Sequence, residues 1–571
     1  MKIILAAINS KYIHSNLAVY SLKAYAREYQ NEIDIEEYTI NQTSDDILMD
    51  LYKKKPDVLC FSCYIWNLSY VEELVEEFHK VCPDVPIWVG GPEVSYDAED
   101  VLRRLPSVFG VMRGEGEETF LELLQYYHGQ NDSLKNVSGI VYRDGDVICQ
   151  NPWRDVLDMS KIPFVYDDMS LFEHKIIYYE SSRGCPFSCS YCLSSIDKKL
   201  RFRDLELVKK ELQFFIDNEV PQVKFVDRTF NCKHEHAMAI WKYIHEHDQG
   251  KTNFHFEVSA DLLNEAELLL LADMRPGLVQ LEIGVQSTHQ ATIREIRRTM
   301  TFERVAEVVK RIQDKGNIHQ HLDLIAGLPY EDLKIFKKSF DDVYSLRPEQ
   351  LQLGFLKVLK GSYMEAKKED YELVYKNHPP YEVRSTKWLS YADVLELKSV
   401  EEMVEVYYNS GQFRNTLEHL IGLYVSPYEF YQKLATYYEK QDLHLVNHSR
   451  ATRYEILMDY ITKYHEEEKE LCKELLTFDF YLRENAKSRP FFAGENRASK
   501  EELKQFYEIE SQERKYLQGY ESYDKRQLRK MTHVEEFSYD VLGDKKPSKT
   551  LILFDYHNRN PLTYEARVFC L

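Results

Sequence analysis

The chain has 571 residues, 44% hydrophobic and 29% charged, a globular mixture with material for about three to four ordinary domains. Its 73 Lys and Arg against 94 Asp and Glu leave a formal charge of −21. That disfavours a nucleic-acid-wrapping protein, since phosphate neutralisation supplies most such affinity. No apolar run approaches the roughly 20 residues of a membrane span, and the apolar stretch from Ile3 to Ile8 is too short for a secretory leader. A soluble, cytoplasmic protein without a membrane partner is expected.

Lys2 to Ile8 reads as a buried strand, and apolar runs follow at Ile33 to Tyr38, Val58 to Ser62, Ile87 to Val89 and Gly110 to Met112. Helical patterns separate them at Leu17 to Tyr29, Asp45 to Lys54 and Tyr70 to Cys82, with another after Glu117. This alternation over residues 1–135 predicts an α/β domain with a doubly wound parallel sheet. Such sheets bind ligands beyond their carboxyl ends. Three strands here end in Ser62, in Gly90-Gly91-Pro92-Glu93 and in Arg113-Gly114-Glu115-Gly116-Glu117. Residues 136–170 read as a connector with one hairpin, Gly139 to Arg143 and Asp146 to Gln150.

A second alternation fills 171–375. Its strands are expected at Ile176 to Ser181, Gln222 to Val226, Asn253 to Val258, Val279 to Val285, His319 to Ile325 and Leu351 to Val358. Helices such as Asp204 to Asn218 and Phe302 to Lys315 lie between them. Six βα units predict a partial (β/α)6 barrel with its site at the strand carboxyl ends. Residues 380–571 are charged and Tyr-rich at helical spacing. A mostly helical domain is expected there, closing with a strand pair at Thr550 to Tyr556 and Thr563 to Leu571; its role is not legible.

Ten cysteines are present, and in a reducing compartment a cluster of them points to metal or redox chemistry. Cys185, Cys189 and Cys192 follow a predicted strand with C-x3-C-x2-C spacing. Three thiolates on one loop suit three irons of a [4Fe–4S] cubane, leaving the fourth iron open to a small molecule. A zinc site wants a fourth ligand, for which Cys232, His234 and His236 are the nearby alternative; three structural thiols are a further one. His245 and His247, two apart on a helix, face different ways.

The cysteine spacing, with Tyr191 before the last Cys, resembles the radical S-adenosylmethionine (SAM) superfamily. Phe225-Val226-Asp227-Arg-Thr-Phe230-Asn231, Glu282-Ile-Gly284-Val-Gln286-Ser287, Leu322-Asp323-Leu324-Ile-Ala-Gly327-Leu328-Pro329 and Gly354 to Ser362 resemble its later strands in order. The resemblance implies that Cys185, Cys189 and Cys192 hold the cluster and that its open iron is chelated by SAM. It makes Asp227, Glu282 and Gln286 candidates for contacts with the amino group and ribose. Each has a plainer alternative as a strand-end residue closing a loop. Where many relatives place an Arg on the third strand, this chain has Ser259.

The first 135 residues resemble the cobalamin-binding domain that often precedes such barrels. Ser62, Gly90, Gly91 and Gly114 are the implied cofactor-lining residues, since glycines let backbone approach a flat macrocycle. His14 is a candidate cobalt ligand. It lacks the Asp and Gly of the D-x-H-x-x-G pattern, so its usual orienting partner is missing, and binding without a protein ligand is the favoured alternative.

The family resemblance, in its magnesium-protoporphyrin ester cyclase and methyltransferase-like branch, implies a cobalamin-dependent radical SAM enzyme. Methyl transfer to an unactivated carbon of a small-molecule substrate is favoured. An electron donor such as flavodoxin or ferredoxin is the implied partner. The alternatives are an oxidative, ring-forming enzyme, an RNA methylthiotransferase using Cys60, Cys63 and Cys82, and a non-catalytic cobalamin or redox sensor.

Overall fold

The computed structural model describes residues 1–196 and 198–571. They divide into two compact units: residues 1–318, 325–332 and 354–391, and residues 319–324, 333–353 and 392–571. Among the described residues, no helix is long and apolar enough to cross a membrane.

The amino-terminal sheet has seven strands in the order Ile33–Thr39, Ile3–Asn9, Val58–Ser62, Ile87–Gly90, Gly110–Met112, Ile140–Asp144 and Val147–Gln150. The first five in that order are parallel. The last two are the hairpin expected in the connector. Instead of standing apart, it pairs antiparallel with Gly110–Met112 and extends the sheet. The strand Ile3–Asn9 is buried at every position because helices cover both faces, and so it reads as a continuous apolar run. Ile4, Ala6 and Ile8 pack with Leu51, Val71 and Leu74 on one side. Ile3, Leu5 and Ala7 pack with Val19, Phe120 and Leu123 on the other. Helix Ser44–Lys54 begins at Thr43, whose side chain accepts from the Asp46 N–H, and carries acids in its first turn and lysines in its last, matching the helix dipole.

The second sheet has six strands in the order Gln350–Phe355, His319–Ala326, Val279–Gln286, Asn253–Val258, Gln222–Phe225 and Ile177–Tyr179. The last four pair in parallel, and the whole is a partial barrel. Alternate residues divide by chemistry. Val223, Phe225, Phe254, Phe256, Leu281 and Ile283 are buried and apolar, whereas Tyr178, Lys224, His255, Glu257 and Glu282 occupy the other face. Lys224 stands opposite Tyr178 and His255, and Glu257 opposite Glu282.

In the second unit, helices Arg414–Ile421, Pro427–Lys440, Arg450–Tyr464, Lys469–Arg483 and Lys500–Glu513 precede a three-stranded antiparallel sheet. Its strands are Thr532–Tyr539, Pro547–Arg559 and Ala566–Cys570, one more than the pair expected. The additional strand contains Glu535, which made it look like an exposed helix. Glu535 is buried and paired with Arg489 at 2.5 and 2.7 Å. The tyrosine stripe is packing: Tyr407, Tyr428, Tyr431, Tyr454 and Tyr460 are fully buried.

Gly110 lies opposite Trp88 in the sheet. A Cβ there would sit 2.3 Å from the Trp88 ring, which is wholly buried and donates from Nε1 to Tyr127 Oη at 2.8 Å. Gly110→Ala is therefore expected to cost about 1–3 kcal/mol by overpacking. It should lower the urea midpoint with the m-value unchanged; an unmoved midpoint would contradict this packing.

Candidate active site

The cysteine loop leaves a two-residue strand, Ser182–Arg183, that pairs with Arg201–Phe202. Gly184 makes the turn with φ +92°, where a Cβ would lie 2.8 Å from the Lys199 carbonyl oxygen; glycine alone fits without strain. Cys185 is buried, Cys189 and Cys192 are half-buried, and all three are free thiols. Burial pushes the Cys189 thiol up, the Arg298 guanidinium pulls it down, and Cys192 and Cys185 lie close enough to act on it electrostatically. Mutual proximity suits shared ligation of one cluster, and a nearby cation favours the thiolate form. Ser190 anchors the loop, donating to Ile296 O and accepting from Met364 N, both at 3.1 Å.

The barrel residues singled out by sequence divide. Asp227 is fully buried and accepts from Ser181 N at 2.9 Å, Ser181 Oγ at 2.7 Å and Ser182 Oγ at 2.6 Å. In this structure its carboxylate braces the base of the cysteine loop. His236 joins the same network through Ser181 Oγ at 3.1 Å, a packing role that removes its Nε2 from any zinc set. Glu282 lies 3.0 Å from both Lys224 Nζ and His255 Nε2. Gln286 is held at φ +69°, and its buried Oε1 has no hydrogen-bond partner among the described residues. Gly284 makes room for it, since a Cβ there would lie 2.4 Å from Gln286 Nε2.

Arg298 escaped the sequence reading. It donates to Gly284 O at 2.7 Å and Tyr191 Oη at 3.2 Å, and it feels the Asp261 carboxylate, to which Ser259 Oγ donates at 2.6 Å. A cation thus reaches the corner occupied by Ser259. The helix Gln290–Glu295 returns the chain to this point, and no local pattern announces it.

A cavity of about 970 Å3 opens between the carboxyl ends of the two sheets, at the top of the range of roughly 300–1,000 Å3 for small-molecule sites. Ser62, Gly90, Gly91, Gly114 and His14 all line it, as do Lys224 and Glu257 from the barrel. Gly91 has φ +117°, and a Cβ would come within 2.5 Å of Cys63 O. Tyr64 and Trp66 stack at 4.4 Å and present an aromatic wall. His14 Nδ1 lies 2.6 Å from Tyr178 Oη, and burial lowers its pKa below the ordinary histidine value. Trp153 also lines the cavity, under the Arg113 guanidinium at 4.4 Å; it belongs to the presumed connector and was missed. A glycine-lined, aromatic-walled space fits a corrin. Cys60 is buried in the strand Val58–Ser62 and Cys63 just beyond its end, and burial raises both thiols, Cys60 to about 12.

Burial lifts the Asp227 carboxyl to about 6, against the pull of its serine hydrogen bonds. Its folded value exceeds the ordinary 3.8, so the folded chain holds the proton more tightly than the unfolded chain. This contribution is full below about pH 4 and lost as pH rises through about 6. Asp227→Asn removes that slope. The stability of the variant relative to the native chain should rise between about pH 4.5 and 6.5, by at most about 1.4 kcal/mol per pH unit. Urea midpoints at the two pH values measure it, and a pH-independent difference counts against a raised Asp227.

Residues 3–124 match a model described as a B12 binding domain, 179–343 the radical SAM superfamily, and 369–554 a protein family of unknown function, DUF4080. An uncharacterised methyltransferase of Pyrococcus horikoshii is 25% identical over 320 residues, covering 54% of this chain and 69% of that one. The cobalamin-dependent radical SAM methyltransferase TokK of Streptomyces tokunonensis is 25% identical, covering 50% and 44%. An anaerobic magnesium-protoporphyrin IX monomethyl ester cyclase of Cereibacter sphaeroides is 22% identical, covering 52% and 51%. The chain thus spans about half the length of two of these relatives. Among solved structures, the cobalamin-dependent SAM radical enzyme OxsB superposes with a TM-score of 0.59 at 17% identity, covering 83% of this chain and 78% of that one. The radical SAM methyltransferase TsrM of Kitasatospora setae gives 0.55 at 14% identity, covering 67% and 79%. This chain joins a B12 binding domain to a radical SAM barrel, the architecture of the cobalamin-binding radical SAM enzymes, and its cofactors are cobalamin, SAM and a [4Fe–4S] cluster.

Proposed function

We propose that this chain is a methyltransferase that uses all three cofactors to methylate an unactivated carbon of a small molecule. The observation that carries the reading is the shared cavity: residues of the B12 binding domain and of the barrel line one chamber, as transfer between two cofactors demands. When bound, the cluster supplies the electron that cleaves SAM to a deoxyadenosyl radical, and the cobalamin supplies the methyl group.

The chain's own residues take the remaining roles. Cys185, Cys189 and Cys192 would hold the cluster through their thiolates. Arg298 offers a guanidinium to the SAM carboxylate, a charge-assisted contact. Gln286 Oε1 offers an acceptor to the amino group. Glu282 is shared between Lys224 and His255 and orders the polar lumen in which the substrate sits. An electron donor of the flavodoxin or ferredoxin class supplies the reducing equivalents. Relatives that are methyltransferases and relatives that are ring-forming cyclases align over similar shares of the chain, and the by-product separates the two. Methyl transfer releases adenosylhomocysteine, whereas ring formation need not.

Anaerobic purification and reconstitution should give about four irons and four sulfides per chain, together with one equivalent of cobalt. Incubation with SAM and reductant should release both deoxyadenosine and adenosylhomocysteine. Cys185→Ala should abolish the iron. Arg298→Gln should keep iron and cobalt but weaken SAM binding about tenfold or more, the loss of a contact worth roughly 1.5–3 kcal/mol. Zinc in place of iron would overturn the reading, and deoxyadenosine without adenosylhomocysteine would move it to the cyclase class.

A further inference from the structure

Glu115 and Glu117 belong to the loop that sequence placed among the cobalamin-lining features, yet their carboxylates are committed elsewhere. Arg183, two residues before Cys185, donates from Nη2 to Glu117 Oε1 at 2.9 Å and from Nη1 to Glu117 Oε2 at 3.4 Å. Its Nη1 also lies 3.3 Å from Glu115 Oε1. On the barrel side it holds Glu180 through Nε at 3.0 Å and Nη2 at 2.8 Å. Arg201, paired with Arg183 across the short strands, also binds Glu115. The second Glu115 oxygen accepts from Leu157 N at 2.6 Å. None of these five side chains is more than 20% exposed.

We propose that Glu115, Glu117 and Arg183 form a latch that sets the B12 binding domain against the cysteine loop, fixing where the corrin pocket stands relative to the cluster. This rests on the methyltransferase reading above for its consequence, though not for its geometry. A forked guanidinium held by two carboxylates from opposite sides admits one relative placement, because bidentate pairs are directional. Removing one partner leaves the others buried and unmatched, which disturbs more than deleting the whole set. The domains do not separate without the latch, since the His14–Tyr178 contact at 2.6 Å and the Lys360–Asp97 pair at 2.7 Å remain. The expected failure is misalignment.

Two products of SAM report alignment separately. Deoxyadenosine needs only the barrel, whereas single-turnover adenosylhomocysteine needs SAM and cobalamin correctly opposed. In the reconstituted full chain, Glu117→Gln should lower adenosylhomocysteine about tenfold to a hundredfold, the scale of an ångström of misplacement. Deoxyadenosine should change by no more than a few-fold. Arg183→Lys, which keeps charge but loses the fork, should recover only part of the loss that Arg183→Gln causes. The cluster midpoint potential should rise in Glu117→Gln and fall in Arg183→Gln, a sign reversal that mere loosening would not produce.

In the cofactor-free chain, amide exchange in residues 181–203 and 113–118 should speed up together in either variant. A parallel loss of both products, potentials moving in one direction, or exchange confined to the mutated segment would each overturn the latch. Native chain that loads no iron or cobalt would instead sink the functional reading, leaving the exchange experiment to decide the latch alone.

Discussion

Burying the Arg183 guanidinium beside the cysteine loop is the constraint around which the site is arranged. A charge taken out of water is tolerated only when its donors are matched, and Arg183 finds matches on both sides of the cavity, at Glu180 and at Glu117. Its side chain then dictates where Ser182–Arg183 runs. That fixes the Gly184 turn and, through it, the start of the cysteine loop. Asp227 completes the foundation from beneath by collecting the Ser181 and Ser182 donors. Three consecutive residues before Gly184 are therefore held by charge or by charge-assisted hydrogen bonds. That is rigid support for the loop that carries the three thiols.

The strands supply this chemistry through their two-residue period. Outward residues such as Phe225, Phe254 and Leu281 are buried and apolar, which secures the sheet. Inward residues are free to be charged, and those nearest the carboxyl ends are Glu180, Lys224, Glu257 and Glu282. The lumen charges are compensated locally: Lys224 and His255 both reach Glu282 at 3.0 Å. Stability and chemistry thus occupy opposite faces of the same residue run, and neither compromises the other.

Features with a local signature were legible in the sequence, and features that depend on distant pairing were not. The apolar runs located the six barrel strands to within a few residues, because each run is bounded by turns and buried on one face at least. The C-x3-C-x2-C spacing singled out one loop, on which the structure places three free thiols close together. By contrast, the hairpin at Ile140–Asp144 read correctly as a hairpin but not as a sheet extension, since its partner Gly110–Met112 is chosen by tertiary register. Glu535 hid a strand, because a buried ion pair looks in sequence like a solvated face. Arg298 and Trp153 reach the site only through chain reversal, and Asp227 carries a family position while its oxygens are spent on serine donors. For the same reason Glu115 and Glu117 could be placed at the right strand end without their ion pairs with Arg183 and Arg201 being foreseen.

The nature of the seam explains why those pairs matter. The two apolar clusters of the amino-terminal sheet draw on residues of that domain alone, and beside one aromatic contact, Tyr20–Phe172 at 4.8 Å between ring centroids, the seam with the barrel carries a set of polar ones: His14–Tyr178, Ser15 Oγ to Ile176 O at 3.2 Å, Lys175–Glu37, Lys360–Asp97 and the Arg183 set. An apolar seam is non-directional, so it tolerates sliding at little cost. A seam of forked and single hydrogen bonds fixes position far more strictly for each contact. Around a cavity of about 970 Å3 that interrupts continuous packing, directional contacts on the rim are the means left to define the spacing of the two walls. The charged residues flanking the strand ends therefore serve the placement of one cofactor relative to the other as much as the binding of either.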